Sequence, residues 1–426
     1  MKSSSRQIKD RRRFLRMLAA SPVLALPGPS HFLLQKLLAS GNPGTKDALT
    51  LFENLEQGDA LISSPEQAFD VMDFEQVARK TLPPAHFGFL ATGVDDDATV
   101  RANREGFTKL QIRARRLVDV SNIDMSVRLF GTSWDSPIVL SPVGDQKAFH
   151  PEGEIAVARA ARTKGHLQIL STVTSSSVED VTAARGAPIW FQLYVNNVWD
   201  IVRAMIKRAE AAGCPVLVLT VDLKEGSNRE TLFRAERADS RQCGICHPNG
   251  FSGFGRVARR PMFAGLDVSK ATSLISPALT WDYVKRLKDT TTMKLVLKGI
   301  VTREDAQLAV EHGVDGIIVS NHGGRAEETL RSTIESLPEV MEGAARKIPV
   351  LVDGGFRRGT DIFKALALGA TAVGIGRPYA WGLASFGQPG VEAVLSILRR
   401  ELQTIMRQAG TTSIDKITPA YLAGRS

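Results

Sequence analysis

The sequence predicts an α/β chain folded as a (β/α)8 TIM barrel, with a helical extension in front and a long loop after the fourth strand. Three observations carry that prediction. From Pro137 onward, short apolar runs rich in Val, Ile and Leu recur: PIVLSPV, LQILS, PIWFQLYV, PVLVLTVD, KLVLKG, GIIVSNH, PVLVDGG and AVGIGRP. Each suits a strand buried on both faces. Most alternate with helical patterns such as EIAVARAARTKG, WDIVRAMIKRAEAAG, REDAQLAVEHG and GTDIFKALALGA, several of them closing on Gly. Finally, polar residues gather where the apolar runs end, which is the catalytic face of a closed parallel barrel.

Taken in order, the chain opens on a basic segment. Residues 1–40 hold Lys2, Arg6, Lys9, Arg11, Arg12, Arg13, Arg16 and Lys36 against Asp10 alone. That leaves only +2 of the formal +9 for the remaining residues, so the charge is local and gives no footprint for nucleic acid. DRRRFLRML, with Arg11 and Arg12 as the pair, matches a twin-arginine export signal, and the short apolar stretch Met17 to Leu26 follows it, broken by Pro22. The expected destination is the periplasm. No clean A-x-A cleavage site is present, so a retained membrane tether stays open. No apolar run approaches the roughly 18–20 residues of a membrane span.

Residues 41–65 read as a linker, and 66–426 as one domain whose barrel begins near residue 137. DFEQVARKTLPPAHFGFLATG predicts a helical entry with a turn at Pro83 and Pro84. Between LTVD and the helix around Trp281 lie more than 50 residues, a length that marks a lid, a binding loop or disorder. With 43% hydrophobic residues in 426, the core is ample.

The strand ends carry Ser141, Pro142, Ser171, Gln192, Tyr194, Thr220, Asp222, Lys298, Ser320, His322, Arg325, Asp353 and Arg377. SNHGGR, Ser320 to Arg325, puts an imidazole and a guanidinium directly after a buried strand. A guanidinium fork suits a carboxylate, and an imidazole suits proton abstraction near neutral pH. Gly354 and Gly355, with Gly374 and Gly376, let backbone N–H groups approach an anion, and Arg357 and Arg377 add charge. Loops after the last two strands are the usual phosphate site of such barrels.

LVLKGI, IIVSNHGGR and VDGGFRRGTDIFKALALGA together resemble the FMN-dependent L-2-hydroxy acid dehydrogenase and oxidase family, which includes glycolate oxidase, L-lactate dehydrogenase and mandelate dehydrogenase. The likeness runs from about Phe74 to about Ala423. It implies FMN as cofactor, a small 2-hydroxy acid as substrate, an electron acceptor that is O2, a quinone or a cytochrome, and a homo-oligomer. It also implies roles. His322 is the base, oriented by Asp222. Arg325 and Arg229 grip the substrate carboxylate, and Tyr194 and His322 touch substrate. Pro142, Val143, Gly144, Ser171, Gln192, Tyr194, Thr220, Lys298 and Ser320 line the flavin, with Lys298 beside N1 and C2=O. Asp353, Gly354, Gly355, Phe356, Arg357, Gly376 and Arg377 clamp the ribityl phosphate. Flavin-dependent isomerases lack the His-Gly-Gly-Arg pairing, whereas a flavoprotein electron carrier on the same barrel would need none of Arg229, His322 and Arg325.

The sequence departs from the family's pattern on the substrate side. Phe89 stands where a tyrosine is usual, Val173 where an aromatic is common, Asp145 where an apolar residue is usual, and Ala326, Glu327 and Glu328 follow the HGGR arginine. Cys214 reads as a core residue. Cys243, Cys246 and His247 form CGICH, the C-x-x-C-H spacing of covalent c-type haem attachment, with a local disulfide or free thiols as the plainer readings.

Overall fold

The computed structural model describes residues 61–241, 255 and 258–424. The predicted signal segment, most of the linker, and Cys243, Cys246 and His247 lie outside the described residues.

The entry segment forms two helices, α1 (Met72–Thr81) and α2 (Pro84–Ala91), with Pro84 at the first position of α2, where a missing N–H costs nothing. Helix α3 (Ala98–Glu105) follows, then β1 (Leu110–Ile112), which pairs antiparallel with Leu422–Gly424 near the chain's end. A hairpin of β2 (Val127–Leu129) and β3 (Thr132–Trp134) turns through Phe130 and Gly131, both at positive φ.

The barrel comprises β4 (Ile138–Leu140), β5 (Leu167–Ser171), β6 (Trp190–Leu193), β7 (Val216–Thr220), β8 (Lys294–Ile300), β9 (Gly316–Val319), β10 (Val350–Val352) and β11 (Ala372–Ile375). All neighbours are parallel, and β11 pairs with β4 to close the ring. Outside it run α4 (Gly153–Lys164), α5 (Val178–Arg185), α6 (Trp199–Ala211), α7 (Glu230–Ala238), α8 (Trp281–Lys288), α9 (Arg303–Glu311), α10 (Thr333–Ala344), α11 (Gly359–Ala367) and α12 (Arg377–Ala409).

The strand period of two sorts the barrel into layers. Val139, Ile169, Trp190, Val218, Val296, Ile318, Leu351 and Ala372 point inward and pack as one cluster with Leu129 and Trp134 of the hairpin. Phe130 packs against Trp190 with ring centres 5.4 Å apart and planes tilted by 47°, so the hairpin plugs the N-terminal mouth. Two residues further along each strand come Ser141, Ser171, Gln192, Thr220, Lys298, Ser320, Asp353 and Gly374. The core is therefore apolar below and polar above. The alternate residues, such as Leu170, Phe191, Leu219, Leu297 and Val319, face the helices. Each fully buried aliphatic side chain contributes about 1.5–3 kcal/mol.

The long connection between β7 and β8 is not structureless. It holds α7, which packs on α2 so closely that a Cβ at Gly88 would sit 2.8 Å from Ala235 Cβ. It also holds a 3-10 turn, Pro261–Phe263, whose Met262 and Phe263 are buried. Over the described residues the connection packs against the rest of the domain.

Candidate active site

The polar layer is wired through one hydroxyl. Ser320 Oγ accepts from Lys298 Nζ at 2.7 Å and from the His322 N–H at 3.1 Å, and donates to Asp353 Oδ1 at 2.6 Å. Lys298 is 4% exposed, and a buried ammonium is costly unless paired. Its partners are Asp353 Oδ2 at 3.4 Å and Asp222 Oδ2 at 4.0 Å. Gln192 is fixed likewise: Nε2 donates to Thr220 Oγ1 at 2.8 Å, and Oε1 accepts from Ser171 Oγ at 3.1 Å.

After β9 the backbone turns left-handed for three residues, with φ of 57° at His322, 68° at Gly323 and 78° at Gly324. The His322 ring is thereby held between Asp222 and Tyr194, with Nδ1 3.0 Å from Asp222 Oδ1 and Nε2 3.2 Å from the Tyr194 hydroxyl. Gly299 is needed beneath: at φ 112°, a Cβ there would come 2.6 Å from Asp222 Cβ. Burial acts to raise the Asp222 carboxyl, but His322 and Lys298 more than offset it and hold it below its ordinary value. Burial also holds the His322 imidazole below its ordinary value, against the pull of Asp222. A carboxylate only accepts, so the ring proton lies on Nδ1 and Nε2 carries the lone pair. Tyr194 stays protonated, its hydroxyl pushed up chiefly by burial.

Three guanidinium groups gather at the C-terminal end of α2, where a helix leaves carbonyls unpaired. Arg229 donates to Phe89 O at 3.0 Å and Thr92 Oγ1 at 3.0 Å; Arg377 donates to Leu90 O at 2.7 Å, Gly323 O at 2.9 Å and Thr92 O at 3.2 Å. Arg325 lies over the Phe89 ring at 4.4 Å, and Arg229 approaches the same ring at 5.3 Å. Phe89 thus replaces the usual hydroxyl with a π-face shared by two cations. Among the described residues, none of the three has a carboxylate at ion-pair distance. Burial first, then mutual repulsion with Arg229 and Arg377, holds Arg325 well below its ordinary value; burial brings Arg229 and Arg377 each to about 10.

A cavity opens over this layer. It is lined by the predicted residues Pro142, Val143, Gly144, Ser171, Tyr194, Lys298, His322, Arg325, Asp353, Gly354, Gly355, Phe356, Arg357, Gly376 and Arg377. Gln192, Thr220, Ser320, Asp222 and Arg229 are brought to the site but stand behind that wall. The bonds of Arg229 run to Phe89 O and Thr92 Oγ1 at the end of α2, while its Nε has no partner among the described residues. Arg377 reaches the wall, yet each of its three nitrogens already serves a carbonyl.

The departures acquire structural roles. Asp145 lies off the cavity wall, in a buried ion pair with Arg260 from the long connection. Glu328 accepts from Ala98 N at 2.5 Å and Thr99 N at 3.1 Å, capping α3. Phe89 and Val173 do line the cavity. Sequence reasoning missed Asn103 and Asn321, whose only signal was an amide inside a helical pattern and another beside His322.

The family model for FMN-dependent dehydrogenases matches residues 78–424. The chain belongs to that family. It is an FMN-dependent oxidoreductase. It is 40% identical over 354 residues to the peroxisomal (S)-2-hydroxy-acid oxidase of Oryza sativa subsp. japonica, covering 83% of this chain and 95% of that one. It is also 40% identical over 358 residues to glycolate oxidase 1 of Oryza sativa subsp. indica, with the same coverage of each chain. Among solved structures, a soluble mutant of the membrane-associated (S)-mandelate dehydrogenase from Pseudomonas putida superposes with a TM-score of 0.76 at 33% identity, covering 84% of this chain and 100% of that one. A flavocytochrome b2 variant with pyruvate bound gives 0.76 at 33% identity, covering 87% and 90%.

The residues fit FMN. At Gly376 the protein leaves room: a Cβ would meet nothing nearer than Val143 Cγ2 at 3.8 Å, so the space at the start of α12 is free for an anion. Arg357, brought to about 9 by burial and by Arg377, lines the same end and stacks on Trp381 at 4.5 Å. Gly355 is glycine for a further reason, since a Cβ would lie 2.1 Å from the Asn103 carbonyl.

Proposed function

We propose that the protein oxidises an L-2-hydroxy acid of lactate type to the 2-oxo acid. The observation that carries this reading is one cavity shared by an unprotonated imidazole nitrogen, fixed through Asp222, and a guanidinium without a carboxylate partner among the described residues. Arg325 holds the substrate carboxylate, and Arg229 backs it electrostatically from behind the Phe89 ring. His322 Nε2 takes the proton from the substrate hydroxyl, and Asp222 stabilises the resulting imidazolium. The Tyr194 hydroxyl, 3.2 Å from His322 Nε2 and on the same cavity wall, stands within reach of the same substrate. Lys298, the Gly354–Arg357 segment and Gly376 would hold FMN, which would supply the acceptor for the substrate's α-hydrogen together with its two electrons. The relatives named for (S)-2-hydroxy acids, glycolate and mandelate support this substrate class.

Anaerobic addition of a panel of L-2-hydroxy acids to purified protein tests it. At least one should bleach the flavin absorption, and bleaching by none would favour an electron-carrier role. The basic, twin-arginine-like start supports export to the periplasm, checked by fractionating cells carrying the wild-type chain and an Arg11→Lys/Arg12→Lys variant. The C-x-x-C-H spacing supports a covalent haem as electron outlet, checked by a Soret band that survives denaturation.

A further inference from the structure

Helix α3 lies outside the barrel's repeat, yet it meets both loops that carry the chemistry. Glu328, from the segment after HGGR, caps its first turn, and Leu330 N donates to Thr99 Oγ1 at 3.0 Å. Arg104, at its other end, bonds Gly355 O and Asp361 Oδ2. Between them Asn103, 2% exposed, faces Asn321, 3% exposed. The two amides are reciprocal: Asn103 Nδ2 donates to Asn321 Oδ1 at 2.9 Å, and Asn321 Nδ2 donates to Asn103 Oδ1 at 2.9 Å. Asn103 Oδ1 also accepts from Thr333 N at 3.2 Å, and Asn321 Oδ1 from Gly324 N at 3.1 Å.

That last bond reinforces the left-handed turn, whose Gly324 N–H also reaches the Asn321 backbone carbonyl at 2.9 Å. A non-glycine residue at positive φ is strained and persists only where its surroundings over-determine it. His322 is such a residue, directly after Asn321. The chain of support therefore runs from Asn103 to Asn321, from Asn321 to the Gly324 N–H, and so to the His322 backbone. A neutral amide pair suits the place, because it satisfies donors and acceptors without adding charge beside Asp222, Lys298 and the guanidinium cluster.

We infer that Asn103 is a positioning residue for the reaction: its amide holds Asn321, and through it the turn that presents His322 to the cavity. The inference rests on the reading of His322 as the base. Arg325 is anchored separately, by Ser227 Oγ donating to its carbonyl at 2.8 Å and by the Phe89 ring. Loss of Asn103 should therefore disturb proton transfer more than carboxylate binding.

The test uses full-length, flavin-loaded Asn103→Leu and Asn103→Asp. Asn103→Leu should lower kcat by about tenfold to a hundredfold with KM within about threefold, the signature of a misplaced catalytic group. Asn103→Asp keeps an acceptor toward Asn321 Nδ2 and Thr333 N but loses the donor to Asn321 Oδ1 and adds a buried charge, so it should recover only part of the loss. A second readout is independent of turnover: 13C-histidine NMR, with His322 assigned by its loss in His322→Gln. His322 is faced by Asp222, Lys298, Tyr194 and Arg325, and burial dominates its titration. Loosening the turn in Asn103→Leu should move that titration up toward 6.5. A folded, flavin-loaded Asn103→Leu with wild-type kcat and wild-type His322 titration overturns the inference. If Asn103→Leu does not fold, Asn103→Asp decides: a smaller change in the same direction supports it, and none sinks it. Failure of the underlying reading shows elsewhere, as turnover surviving in His322→Gln.

Discussion

At His322 the imidazole begins unprotonated at neutral pH, because burial holds its pKa below 6.5. Protonation removes the base, so kcat/KM should rise with pH through a limb whose midpoint lies below 6.5. Asp222 is what pulls that midpoint up, so Asp222→Asn should move it further down while lowering the plateau by on the order of a hundredfold. A limb that moves upward in Asp222→Asn contradicts the assignment. Lys298 poses the complementary case. Lys298→Met leaves Asp222 and Asp353 buried without their cation, a change that costs about 3–5 kcal/mol in comparable pairs. Urea unfolding at neutral pH measures it, and a loss under about 1 kcal/mol would show that Ser320 and His322 suffice for those carboxylates.

At the scale of elements, the capping of α3 gives a clean measurement. Glu328 satisfies two N–H groups that the helix cannot, so Glu328→Ala should cost about 1 kcal/mol and Glu328→Gln less, read from urea midpoints. An unchanged midpoint in Glu328→Ala would mean that water replaces the carboxylate. The same helix marks where sequence reading stops. The barrel strands were legible because short unbroken apolar runs, buried on both faces, recur and then switch to Ser, Gln, Thr, Lys or Asp at the rim. His322, Lys298 and Arg325 were legible for the same reason. The reciprocal amides of Asn103 and Asn321 were not, because 218 residues separate them and neither belongs to a periodic pattern. Helix α7 escaped notice because charge dominates RETLFRAERA and Leu232 is its one buried residue. The hairpin plug hides in two strands of three residues each, too short to show alternation.

Over the whole molecule, the barrel's two ends respond to acid in the same direction. His166 lies just before β5, 1% exposed, its Nε2 2.8 Å from Ser136 Oγ. Burial, reinforced by Arg399, Arg185 and Lys164, brings its pKa from 6.5 to about 4. Between those values the unfolded chain binds a proton that the folded one refuses, so stability falls as pH falls through that window. For this one group the loss between pH 7 and pH 5 is about 2 kcal/mol, a large share of the roughly 5–15 kcal/mol that stabilises a domain. His322 adds to it with the same sign. His166→Gln should flatten the dependence by about that amount, at a neutral-pH cost of about 1 kcal/mol for the altered bond to Ser136. Urea midpoints of flavin-loaded wild type and His166→Gln at the two pH values decide it. Parallel losses in both proteins would place the acid-sensitive proton elsewhere, and His322→Gln, measured the same way, would show whether it sits at the catalytic mouth.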